Sequence, residues 1–293
     1  MKEKIQYYYN MIPKNLIYRA EYIEFTSNND HYYLMLENGK FQQAMLIDKI
    51  MKLNKIDIYD FIVNKNFQYI TLINNKGYVL LKLLVEKTEK EIDLNDLLLF
   101  ANLTLNFTSE LRWIDKWIQK TDALESNRSE LLSKNETLEK TVDYYLGISE
   151  NAIMYVKYHS SNIGKFYQLH LQHERLNTKT RKYIMFYNPF YIIFDIRVRD
   201  ISELIKQYIL EGKNYKKLLK EIIEIMKINS NEIGLIVSRI MFPTYYFDFI
   251  EDENSFANKK IITFSSYYLD TMNEIIKLAS SYYEIPMPDY LHQ

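Results

Sequence analysis

Residues 169–206 read LHLQHERLNTKTRKYIMFYNPFYIIFDIRVRDISELIK. His173 is followed by the charged pair Glu174 and Arg175, then by an apolar run, then by Asp195 and Asp200. An imidazole can carry a proton or tie a loop together, and a carboxylate can orient a hydroxyl or hold Mg²⁺. Those side chains in that order suit phosphoryl transfer, where positioning and charge stabilisation supply nearly all of the catalysis. The order alone leaves two readings open: a working site, or the frame of one with its chemistry removed.

The elements that must position these residues fall into two groups. Residues 20–40 carry two β-rich runs around the polar turn Ser27 to Asp30, and Asn38-Gly39 breaks the second. Residues 41–56 space apolar side chains as a helix does. A second hairpin follows in FQYITLINNKGYVLLKLLV, turning at Asn74 to Gly77. From about residue 93 the pattern turns helical. Trp113, Ile114, Trp117 and Ile118 form one stripe, and Val142, Tyr145, Leu146, Ile153 and Val156 another. Residues 120–140 are polar, a helix end followed by a solvated loop or a second helix. Ile201, Leu204, Ile205, Tyr208 and Ile209 match the helical template in full, Ile233, Ile236, Val237 and Ile240 match it again, and Met272, Ile275, Ile276 and Ala279 make a last helix. The short β-like runs of residues 169–195 interrupt these helices.

Composition narrows the function classes. The chain has 293 residues, 47% of them hydrophobic, enough for a packed core in two lobes. Its net charge of -1 gives no attraction for a polyanion, so no nucleic-acid partner is expected. It has no cysteine, which excludes disulfides, thiolate metal sites and thiol nucleophiles. The opening MKEKIQYYYN lacks the apolar segment of a signal peptide, and the best apolar run, YVLLKLLV, carries Lys82. A soluble protein made in the cytoplasm, without a membrane span, is therefore expected.

Three stretches, YYLGISENAIMYV (144–156), FDIRVRDISELIK (194–206) and SRIMFPTYYFDFIED (238–252), resemble the CotS/YutH family of kinase-like spore-coat proteins of endospore-forming Firmicutes, with the YutH branch closer. The tail IPMPDYL is similar too, while the first hundred residues match in layout only. The resemblance implies an α+β, protein-kinase-like two-lobe fold, related to aminoglycoside and choline phosphotransferases. Residues 1–86 would form a small β-rich lobe with one helix. Residues 87–293 would form a larger, mainly helical lobe that holds a degenerate catalytic segment at 169–200. It further implies the mother-cell cytoplasm and then the spore coat as location, and other coat proteins as partners.

Set beside the related phosphotransferases, each reactive position is filled by something unsuitable. A Gly-rich phosphate cover is missing: Gly39 and Gly77 stand alone, and TSNND has none. The strand YYLML before the first helix has no phosphate-holding Lys, and residues 41–56 offer only Asp48 as its partner. Lys40 and Lys82 read as solvated strand-end charges. The catalytic His-Gly-Asp of the related phosphotransferases corresponds to His173-Glu174-Arg175, and their metal-holding Asn to Thr180. A guanidinium cannot accept a proton. His173 then reads as a structural histidine, and the metal-binding Asp falls near Asn188 and Phe190. Asp200, with Glu203 three residues on, reads as a helix N-cap and its capping-box partner. Asp195 is expected to pair with Arg197 or Arg199, or to accept backbone N–H groups.

Other chemistry finds little support. Walker, GxSxG and HExxH motifs are missing. His170 and His173 could share a helical face as metal ligands, but no ligand-rich segment meets them. The acidic DFIEDEN lacks the Gly of a calcium loop. Aromatic clusters at Tyr7 to Tyr9, Tyr245 to Phe249 and Tyr267-Tyr268 read as packing residues. The leading expectation is a non-catalytic coat component with no cofactor, no bound metal and no catalytic residue. One alternative is an active small-molecule or protein phosphotransferase using Glu174 and Asp195. The other is a non-catalytic binder of a sugar or nucleotide.

Overall fold

The computed structural model describes residues 1–103, 105–132, 136–161, 167–177, 179–251 and 258–285. The chain begins with α1 (Lys2–Tyr9), whose buried Ile5 and Tyr9 stand one turn apart. Strands β1 (Lys14–Tyr18), β2 (Tyr22–Ser27) and β3 (Asp30–Leu36) follow, then α2 (Phe41–Leu53), β4 (Tyr59–Ile62), β5 (Ile70–Ile73) and β6 (Lys76–Leu83). They form one antiparallel sheet in the order β1-β2-β3-β6-β4, with β5 also paired to β6. The two expected hairpins are both present. Ser27 pairs with Asp30 across Asn28-Asn29, and Ile73 pairs with Lys76 across Asn74-Asn75. All four Asn have positive φ (50, 68, 50 and 62°), the geometry of a two-residue hairpin turn that suits strand twist and that Asn tolerates well.

Three elements here are not legible in the sequence: α1, β1 and β4. α1 was passed over, β4 is only four residues, and β5 and β6 were expected, but β1 lies on the sheet edge with four of its five residues exposed. An edge strand facing water has no alternating apolar face to betray it. Its presence shifts the hairpin count: the first strand pair is β1–β2, joined by Arg19, Ala20 and Glu21.

The rest of the chain runs α3 (Leu94–Asn102), β7 (Thr108–Ser109), α4 (Arg112–Ser126), α5 (Arg128–Leu132), α6 (Glu136–Ser161), β8 (Tyr167–Gln168), β9 (His170–His173), α7 (Tyr183–Phe186), a 3₁₀ turn at Pro189–Tyr191, β10 (Ile192–Asp195), α8 (Arg199–Leu210), α9 (Tyr215–Met226), α10 (Ser230–Met241), α11 (Thr244–Glu251) and α12 (Asn258–Ser280). α10 is the core helix, buried at every position from Ile233 to Met241. It packs on α6, α8 and α12. The stretch Ser230–Ile250 is long and apolar enough for a membrane span, with a mean hydropathy of 1.2 over its most apolar 18 residues, which the sequence reading missed, but 78% of those residues are buried in the fold. Trp113 and Trp117 of the expected α4 stripe touch at 4.4 Å, and Trp117 stacks flat on Phe242 at 4.2 Å.

The chain divides into two units: residues 1–96 with 173–194, and residues 97–172 with 195–293. The N-terminal unit thus runs ten residues past Glu86 and also takes in the segment 173–194, whose β10 pairs with β9 in a separate two-stranded sheet. Tyr59 donates its hydroxyl to the carbonyl of Ile184 (2.7 Å), Arg181 pairs with Glu91 (2.8 Å), and Gln43 donates to the carbonyl of Ile192 (2.9 Å).

Candidate functional site

The loop that follows β9 is closed by its own side chains. His173 is fully buried; its Nε2 lies 2.8 Å from the carbonyl of Phe186, and its ring packs on Phe186 at 4.3 Å. These contacts tie His173 to the segment that carries Phe186. Asn177 Oδ1 accepts from the N–H groups of Lys179 (2.9 Å) and Thr180 (3.1 Å). Thr180, 3% exposed, accepts from the N–H of Asn177 (2.8 Å) and donates its hydroxyl to the carbonyl of Arg175 (2.7 Å). The position that would present an amide to a metal therefore holds a small side chain already committed to the loop backbone.

Glu174 meets Lys40 at 2.5 Å, and its own N–H donates to the carbonyl of Tyr191 (3.0 Å). Lys40, at the start of α2, is thus an ion-pair partner rather than a lone strand-end charge. Lys82 likewise pairs with Asp30 at 2.7 Å. Asp48, the one acid in α2, is 7% exposed and pairs with Lys52 at 3.1 Å. Burial pushes the Asp48 carboxyl up, more than Lys52 pulls it down.

Asn188 is completely buried. Its Oδ1 accepts from the N–H of Phe190 (3.1 Å), opening the 3₁₀ turn, and its Nδ2 points at Met35 Sδ (3.5 Å). Met35 stands on β3, the strand that carries the phosphate-holding Lys in kinases. Phe190 heads an aromatic row: Phe61 at 6.2 Å, then Phe41 at 6.2 Å, then Tyr69 at 5.7 Å. Both atoms of the amide serve the fold.

The turn between β1 and β2 carries a carboxylate, a residue the sequence reading missed. Glu21 accepts from the Lys179 ammonium and from the Tyr191 hydroxyl (3.0 Å), and Lys179 also lies 4.3 Å from the Tyr191 ring centre. Burial raises the Glu21 carboxyl, but the hydrogen bond and charge of Lys179, helped by Tyr191 and Lys40, outweigh it and hold the group below its ordinary value. Burial and the Glu21 charge push the Tyr191 hydroxyl far up. In kinases the first hairpin turn lies over phosphates; here the turn carries Arg19 beside Glu21, and Glu21 ties it to Lys179 and Tyr191.

In the second unit, Asp195 accepts from Arg199 (2.6 Å) and from the N–H of Ile196 (2.7 Å), one of the expected pairings. Arg197 instead forms a two-pronged pair with Glu232 (2.5 and 2.7 Å). The capping assignment of Asp200 and Glu203 is corrected. α8 starts two residues earlier, at Arg199, with Val198 at its N-cap and no side-chain cap. The Asp200 N–H donates to Gln172 (2.9 Å), so the Glu203 carboxylate turns to Arg239 (2.9 Å) and Lys206 (3.4 Å). A full capping box occurs at α10 instead, between Asn229 and Glu232; its signal, N-x-x-E ahead of an apolar run, was in the sequence. The shared helical face for His170 and His173 is also corrected. They lie on a strand, where side chains three apart point to opposite faces. Burial, then Arg197, pushes the His170 imidazole down. Among the described residues, no three His, Asp or Glu side chains converge as a metal site.

Among solved structures the fold matches kinase-like phosphotransferases. Spectinomycin phosphotransferase APH(9)-Ia, in complex with ADP and spectinomycin, aligns with a TM-score of 0.58 and 10% identity over 96% of each chain. Amicoumacin kinase hAmiN, in complex with AMP-PNP, Ca²⁺ and Ami, aligns at 0.57 and 10% identity, covering 99% of this chain and 96% of that one. An aminoglycoside phosphotransferase from Alicyclobacillus acidocaldarius aligns at 0.55 and 11%, covering 93% and 92%. The chain has a kinase-like phosphotransferase fold of the α+β class. It belongs to the family described as "Spore coat putative kinase YutH", whose profile matches residues 2–285. A curated relative, the endospore coat-associated protein YutH of Bacillus subtilis (strain 168), is 27% identical over 158 residues; the match covers 48% of this chain and 45% of that protein's length.

Proposed function

We propose that the protein is a coat-associated member of the YutH family that keeps the kinase-like frame without its chemistry, and works by holding other coat proteins. Family membership and the coat-associated relative support the location. The observation that carries the loss of chemistry is Thr180: buried, and bonded on both sides to the loop backbone where a metal-holding amide would stand. Asn188, spent on Phe190 and Met35, and Arg175, at the proton acceptor's position, agree with it. Made in the mother-cell cytoplasm, the protein would move to the coat. Thermal melting with and without Mg-ATP tests the reading, since a ligand that binds only the native state raises the melting temperature. No shift is expected; a clear rise overturns it.

The competing reading is phosphoryl transfer by a rearranged site, and Glu174 favours it, because its side chain is 53% exposed. It requires transfer of labelled phosphate that disappears in Glu174→Ala and Asp195→Ala.

A further inference from the structure

The face formed by α1, β5 and the loop between β4 and β5 combines three features that folding alone does not require. Phe67 is 88% exposed and held at φ +59°, a conformation that disfavours a bulky side chain. The loop holding it is tightly built. Asn64, 4% exposed, accepts from the N–H groups of Asn66 (2.9 Å) and Gln68 (3.2 Å) and donates to Thr71 (3.0 Å), which the hydroxyl of Tyr9 also meets at 2.8 Å. Strain kept in a well-braced loop, to project an aromatic ring into water, points to use rather than accident.

Beside Phe67 lies a groove of about 630 Å³, lined among others by Tyr8, Phe41, Tyr69, Ile70 and Leu72. Leu72 is 68% exposed.

The charge of this face is mainly positive, with Glu3 of α1 its exposed acid. Residues 61–85 contain three lysines and no Asp or Glu. Lys4, Lys65 and Lys76 meet no carboxylate among the described residues, whereas Lys82 of the neighbouring β6 is held by Asp30. Lys65 covers the exposed Tyr7 ring at 3.0 Å. The carboxylate of Glu37, beside Gly77, is taken by the N–H groups of Gly39 and Phe41.

We propose that this face docks an acidic polypeptide segment bearing an aromatic or aliphatic side chain. The apolar side chain seats in the groove beside Phe67, and the carboxylates face Lys4, Lys65 and Lys76. An aromatic anchor in a concave, rimmed site is the usual form of a protein-binding hot spot. The amides of Asn66 and Gln68 on the rim suit a peptide backbone, and a concave polar rim does not suit a bilayer. The proposal rests on the protein-binding reading above and names its surface.

The test uses fluorescence anisotropy with a labelled random copolymer of glutamate and tyrosine, and with labelled polyglutamate. The intact chain is compared with Phe67→Gly, which also relieves the positive φ; with Lys65→Glu combined with Lys76→Glu; and with Lys49→Glu on exposed α2 surface. The copolymer is expected to bind about tenfold tighter than polyglutamate. Phe67→Gly removes that advantage, the double reversal weakens both polymers, and Lys49→Glu behaves as the parent chain. The proposal is overturned if Phe67→Gly and the double reversal bind as the parent does, or if Lys49→Glu weakens binding equally. It also falls if only phosphatidylglycerol-rich vesicles bind, or if Phe67→Gly instead abolishes self-association measured by sedimentation. Adding Mg-ATP separates the two claims: phosphorylation of the copolymer tyrosines would end the non-catalytic reading and leave the docking surface standing.

Discussion

The hydroxyl of Thr180 donates to the carbonyl of Arg175 across 2.7 Å, closing the loop at the position where the related enzymes are expected to hold a metal. Thr180→Val keeps the volume and removes both hydrogen bonds, leaving a buried carbonyl and N–H without that partner. A loss of about 1–3 kcal/mol in urea unfolding is expected. Thr180→Asn is expected to destabilise as well and to bring no Mg-ATP binding, because Asn188 and Arg175 remain as they are.

The exposed pair behaves differently. Lys40 and Glu174 keep 40% and 53% of their side-chain surface in water. Removing either should change stability by less than about 1 kcal/mol. If Glu174→Ala costs much more, the carboxylate has a role that the single ion pair does not describe.

Glu203 is the opposite case. It lies between Arg239 (2.9 Å) and Lys206 (3.4 Å), both 3% exposed, and Arg239 also stacks over Trp113 at 5.0 Å. Glu203→Leu would leave two buried cations without this counter-charge. A cost of about 3–5 kcal/mol is expected by denaturant unfolding. A capping role alone would cost about 1 kcal/mol.

Gly234 lets α10 approach α6: a Cβ there would overlap the ring of His159, which is itself 4% exposed. Gly234→Ala should destabilise by about 1–3 kcal/mol despite its better helix propensity. His159→Ala in the same chain should recover part of the loss, and a double-mutant cycle reads that coupling.

Acid should weaken the fold through its buried imidazoles. Burial holds His159 and His170 below the usual 6.5, with Arg197 adding to the effect on His170. Glu232 and the Leu103 carbonyl pull His170 the other way without reversing it. The unfolded chain therefore binds protons that the native chain refuses. This contribution is complete above about pH 6.5 and is lost as the pH falls through the lower native values. The melting temperature should drop from pH 7 towards pH 5, and His170→Gln should flatten part of that slope.

Local signals in the sequence were readable because local chemistry sets them. Asn28-Asn29 and Asn74-Asn75 announced their turns, the α8 and α10 stripes announced their helices, and Asp195 found Arg199 four residues away. The losses arise where the partner is remote. Glu174 and Lys40 are 134 residues apart, and Glu21 and Lys179 are 158 apart. No spacing rule connects such pairs. Asp200 looked like a cap because an acid precedes an apolar stripe. Gln172, from β9, takes its N–H instead, so tertiary context moved the helix start. The candidate loop was legible as a set of wrong residues, but only the fold showed that Thr180 and Asn188 have taken up structural work.

Isothermal titration of the intact 293-residue chain with Mg-ATP tests the central claim most directly. The account predicts no saturable heat at millimolar nucleotide. Saturable binding that weakens when Thr180 or Asn188 is changed would contradict it.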